Sequence, residues 1–164
     1  MRSAGSTSDS LAKMAIPEGT VAGKLNGLDF APKQVTYDPS RRELKFAWQG
    51  TPDKTKLPDL ELRVRVRRDG NIKTPLDQGK VPENVTLRRE FRDAPFQGYI
   101  VDVIAEDRTE NNKSVNGLLT YPDSAYIVEY TGSQGGKLAG KVYICLGDGP
   151  KSYLAGHFEA EIIR

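Results

Sequence analysis

The chain has 164 residues, of which 37% are hydrophobic, with 16 Gly and 10 Pro; this suits one domain with a single core and many turns rather than long helices. Its 24 basic residues face 22 acidic ones for a formal charge of +2, which argues against the basic footprint of a nucleic-acid or membrane-surface binder. One cysteine excludes an intramolecular disulfide, and one histidine excludes any site built on two imidazoles, HExxH and the two-His-one-carboxylate triad included.

Residues 1–18 read as an N-terminal tail ahead of a β domain over 19–164. The first ten, MRSAGSTSDS, lack the apolar centre of a signal peptide, and no apolar run approaches the roughly 20 residues that cross a bilayer. The tail composition favours disorder, yet Leu11, Met14 and Ile16 are spaced to cover a small groove or a sheet edge. The tail is therefore flexible or docked, and docking against its own domain or a neighbouring chain is the expectation.

From Thr20 onward, strands and turns alternate. TVAGKLNG ends on an Asn26–Gly27 hairpin signal. Leu44, Phe46 and Trp48 alternate with Glu43, Lys45 and Ala47, and DLELRVRVRR sets Leu60, Leu62, Val64 and Val66 against Glu61, Arg63, Arg65 and Arg67. Period two over that length predicts a strand with one buried face and one wet face. NVTLRREF, GYIVDVIAED and SAYIVEY follow, the second carrying Val101 and Val103 on its core face and the last Tyr126, Val128 and Tyr130 on one face. The end of the chain is a hairpin with Leu138, Val142, Ile144 and Leu146 facing inward on one strand, and Leu154, Phe158, Ala160 and Ile162 on the other. About eight to ten short strands without intervening helical patterns predict an all-β fold, an antiparallel β-sandwich with this hairpin at its centre.

Few residues suggest chemistry. Arg63, Arg65 and Arg67, joined by Arg88, form a candidate anion face if their strands are neighbours, although Glu61, Asp69 and Glu90 are interleaved. Tyr126, Tyr130, Tyr143 and Tyr153 are a candidate glycan platform, if exposed. The polar stretch holding Asp107, Glu110, Asn111, Asn112 and Asn116 offers oxygen ligands for calcium but lacks EF-hand spacing, so it reads first as a turn, with no cofactor implied. Cys145 sits between Ile144 and Leu146 as a small packing residue, with His157 on the adjoining strand as its only nearby base. Gly132 to Gly136, GSQGG, lacks the lysine and threonine of a phosphate loop and reads as a turn.

Two stretches carry a family resemblance. Gly23, Lys24, Gly27 and Phe30 near the start, and Gly140, Lys141, Tyr143, Cys145, Leu146, Asp148, Lys151, Ser152, Ala155, Gly156, Phe158, Glu159 and Ala160 near the end, resemble the opening and closing segments of bacterial exported β-sandwich domains of unknown function. The resemblance covers about a quarter of the chain and implies a β-sandwich of cell-envelope or extracellular type, with no catalytic residue and no ligand. Together these features lean away from an enzyme. They point to a non-catalytic binding or structural module that meets a protein partner, or itself, through the N-terminal segment or a strand edge. A carbohydrate-binding domain is the alternative, and a hydrolytic or anion-binding one a more distant alternative.

Overall fold

The computed structural model describes residues 16–50, 57–67, 76, 78–89, 100–109, 119–120, 124–147 and 152–163. Alternating apolar residues and turn-forming pairs divide them into β1 (Ala22–Leu25), β2 (Leu28–Phe30), β3 (Gln34–Asp38), β4 (Glu43–Trp48), β5 (Leu60–Arg67), β6 (Val85–Arg89), β7 (Ile100–Asp107), β8 (Leu119–Thr120), β9 (Ala125–Gln134), β10 (Lys137–Cys145) and β11 (Tyr153–Ile162). The all-β expectation is met, and no helix occurs among the described residues. None is therefore long and apolar enough to cross a membrane there.

All the strands join one sheet in the order β6-β9-β10-β11-β3-β4-β5-β7-β8, with β1 also pairing β11 and β2 pairing β1. The sheet is mixed, which departs from the antiparallel expectation: Glu161 and Ile162 of β11 pair parallel with Thr36 and Tyr37 of β3, while the other ladders between strands are antiparallel. It curls into a half-barrel, and the core fills the curl. Phe46 of β4 meets Phe158 of β11 edge-on at 5.7 Å, and Tyr130 of β9 meets Tyr37 of β3 at 5.5 Å. Strands from the two arms of the sheet thus close on one another through aromatic edges.

The periodicity placed the inward faces correctly. Leu60, Leu62, Val64, Val66, Val103, Val142, Ile144 and Phe158 are buried, and Val101 and Ile162 pack against them partly covered. Each such side chain contributes about 1.5–3 kcal/mol when fully buried. The Asn26–Gly27 signal also holds: both residues take positive φ, 52° and 81°, as the tight turn joining β1 to β2 requires. GSQGG is a turn only at Gly135 and Gly136, because β9 continues through Gln134.

Candidate functional site

β5 projects Arg63, Arg65 and Arg67 from the face opposite the core, but that face is not the wet one expected. Glu61 on β5, Glu43 on β4 and Glu106 on β7 flank Arg63, all three carboxylates being buried. Arg63 lies 3.2 Å from Glu61, 3.5 Å from Glu106 and 3.9 Å from Glu43. Arg108 is buried as well and pairs with Glu106 and, at 3.5 Å, with Glu61. Arg67 forks onto Asp102 at 2.7 and 3.1 Å, and Arg65 approaches Glu43 at 3.9 Å. Arg63 and Arg108 are largely removed from water and require these partners, whereas Arg65 and Arg67, 35% and 48% exposed, pair with carboxylates at the margin of the layer. Arg88 does not join them, because β6 and β5 lie far apart in the strand order. A contiguous face of Arg63, Arg65, Arg67 and Arg88 is therefore not formed.

The tyrosines divide between two faces. Tyr126 and Tyr130 point inward and are buried, whereas Tyr143 is half-buried on the outer face and Tyr153 is exposed. Cys145 pairs across the hairpin with Tyr153 and shares the outer face with Tyr143. Burial pushes the Tyr143 hydroxyl up, and Cys145 and Tyr153 raise it further. His157 pairs with Lys141, four positions along the hairpin from Cys145. At about 3.3 Å per residue that separation is roughly 13 Å, too far for the imidazole to serve the thiol.

Asp107 closes β7 with its carboxylate already occupied: Asn26 Nδ2 donates to it at 2.9 Å, and Thr109 donates through its N–H at 3.0 Å and its hydroxyl at 2.6 Å. Burial pushes this carboxyl up, but the hydrogen bonds from Asn26 and Thr109 outweigh it and hold the pKa below its ordinary value. Glu110, Asn111, Asn112 and Asn116 lie outside the described residues, as do residues 1–15 of the tail. Among the described residues, no group of three or more His, Cys, Asp or Glu side chains is set to hold a metal.

Two features of the outer face were not anticipated in full. Ile16 packs with Tyr143 against Ala125 and Ile127, a second apolar cluster on the side of the sheet away from the core. The chain then reaches β11 through Gly19 and Val21. His157 N–H donates to Gly19 C=O, and Val21 N–H donates to His157 C=O, both at 2.9 Å.

Beside that junction the sheet forks. The bridge from Thr20 reaches β11 at His157, and pairing with β3 starts only at Glu161. The interval opens into a groove of 480 Å³, rimmed by Thr20, Lys33, Thr131, His157 and Glu159 over a floor of Val21, Val35 and Phe158. A bulge in β9 sharpens it: Ala139 pairs with Gly132 and Gly140 with Tyr130, so Thr131 is the extra residue with no opposite number on β10, and it lines the groove. Nothing in the periodicity of the strands foretold this fork, which depends on where β1 and β3 meet the same edge of β11. Comparison with protein-family models, with curated proteins and with solved structures found no match for this chain.

Proposed function

We propose that the chain is a non-catalytic binding or structural module that belongs to an envelope or extracellular assembly and uses its N-terminal segment as the joint. The observation that carries this reading is the outer apolar cluster of Ala125 and Ile127 with Ile16 and Tyr143 packed against it. A sheet face turned from the core gains little from an apolar cluster unless protein covers it, and here the covering side chain comes from the segment that precedes the β domain. The same seam can be closed by that segment within one chain or by the segment of a neighbour, as in strand and segment exchange between subunits. Carbohydrate binding is the weaker alternative. Of the four tyrosines only Tyr143 and Tyr153 reach the outer face, and Tyr143 is engaged at the seam.

Light scattering on the full chain and on a chain lacking residues 1–18 tests the proposal. The full chain is expected to exceed the monomer mass, and the truncated chain to fall to it. Loss of the half-buried Ile16 contact should cost about 1–2 kcal/mol, or roughly 2–8 °C in Tm for a domain of this size. Monomers in both cases with unchanged Tm would remove the assembly and the docked segment together.

A further inference from the structure

We propose that the fork between β1, β3 and β11 is a site for a short extended peptide, which pairs with the backbone of Glu159 as a missing strand would. His157 N–H and C=O are bonded to Gly19 and Val21, and Ile163 N–H to Tyr37 C=O, each at 2.9 Å. Odd-numbered residues over this stretch of β11 therefore turn their backbone groups away from β10 and toward β1 and β3. Glu159 is the odd-numbered residue between those bonded positions, and neither the bridge at His157 nor the ladder at Glu161 reaches it. Its N–H and C=O consequently face the groove, a donor and an acceptor on one residue. That pair is what an amide chain in extended form satisfies.

The surroundings define the occupant. From His157 to Glu161 the opening is about 13 Å long at strand rise, enough for about three peptide residues and closed at either end by chain. The volume, 480 Å³, is that of a ligand pocket rather than of a continuous sheet edge. The floor of Val21, Val35 and Phe158 suits one small apolar side chain, and Lys33 and Glu159 place one charge of each sign on the rim, so a neutral peptide is preferred over a charged one. Gly19 and Val21 form one wall through their bonds to His157, which puts the site beside the N-terminal seam. Its test reads individual amides rather than mass, so it can fail while the assembly holds, and the reverse.

The experiment uses the full chain labelled with nitrogen-15 and the probe acetyl-Ala-Val-Ala-amide. In the free protein the Glu159 N–H is expected to exchange with solvent much faster than those of its bonded neighbours His157 and Ile163. On titration, saturable shifts are expected at Glu159, Val21 and Val35, with Glu159 becoming protected. Replacing each amide N–H of the peptide in turn by an ester oxygen should weaken binding roughly fivefold or more at one position at least, the worth of one hydrogen bond. Thr131→Trp, which fills the groove from an exposed position, should abolish the shifts while leaving the remaining spectrum in place. The proposal is overturned by slow exchange of Glu159 in the free protein, by no saturable shift up to about 10 mM peptide, by ester analogues that all bind as well as the peptide, or by N-acetylglucosamine producing the same shifts at the same concentrations.

Discussion

Tyr37 and Tyr130 meet edge to face in the middle of the core, and among the described residues neither hydroxyl has a hydrogen-bond partner. Their alternation with neighbouring residues could be read along the chain, yet alternation says only that Tyr126, Val128 and Tyr130 share a face, not that the face is sealed. Tyr is amphipathic enough for either side of a sheet, which is why the glycan-platform expectation and the burial of two of its members could not be separated beforehand. An unbonded buried hydroxyl costs stability, and its removal leaves the ring packing intact. Tyr130→Phe and Tyr37→Phe are therefore expected to be neutral or to stabilise by up to about 1 kcal/mol in urea unfolding at pH 8. Burial pushes Tyr37 up to about 12, with Arg42 pulling it down and Asp38 raising it, and burial followed by Tyr37 holds Tyr130 well above its ordinary value. The unfolded chain ionises near pH 10, so the folded state holds more protons above that pH. The corresponding stability is complete below about pH 10 and is lost as pH climbs toward 12. The double Phe variant should lose less stability than the parent between pH 9 and pH 11, and equal losses would contradict this account.

Among the elements, β5 shows how a correct pattern can hide its environment. Its alternation correctly separated Leu60, Leu62, Val64 and Val66 from the charged residues, but the charged face became a covered layer of Arg63, Arg108, Glu43, Glu61 and Glu106. What the pattern along β5 omits is that β4 and β7 bring their own carboxylates alongside, a matter of cross-strand register. Arg63→Met leaves buried carboxylates short of a partner and is expected to cost about 3 kcal/mol. Arg65→Met, at a side chain 35% exposed, should cost less than about 1 kcal/mol. Comparable urea midpoints for the two variants would show that the layer contributes nothing beyond surface pairing. β11 carries a second element-scale constraint at Gly156, whose φ is 135°. A Cβ there would lie 2.7 Å from Val21 Cα and 2.9 Å from Gly19 O, so only glycine lets residues 19–21 run against the strand. Gly156→Ala should destabilise by about 2 kcal/mol or more and raise amide exchange at Val21 ahead of the rest of the sheet; exchange that rises uniformly would argue against a local detachment.

At the scale of the whole molecule, the topology turns on one junction. β11 pairs with β10 along its length, with β1 over its first residues and with β3 over its last. The parallel pairing with β3 makes the sheet mixed, and the change of partner leaves the fork. The N-terminal segment arrives at the same place, with Ile16 on the outer cluster and Gly19 and Val21 on His157. The outer apolar seam and the groove at Glu159 thus share a neighbourhood but present different groups, apolar side chains in one case and backbone amides in the other.

The sequence by itself determined the class of fold, the position of most described strands, the tight turn at Asn26 and Gly27 and the residues that face the core. These follow from interactions between near neighbours: a period of two, and turn residues that tolerate positive φ. Tertiary structure alone decided which strands lie side by side, and with that the fate of the arginine, tyrosine and cysteine candidates. It separated Arg88 from Arg63, Arg65 and Arg67, drew Tyr126 and Tyr130 inside, set Cys145 beyond the reach of His157 and opened the groove at Glu159. The physical reason is that a strand carries its side-chain alternation within itself, whereas its partners, its register and the gaps between its ladders are settled by contacts among residues far apart in the chain.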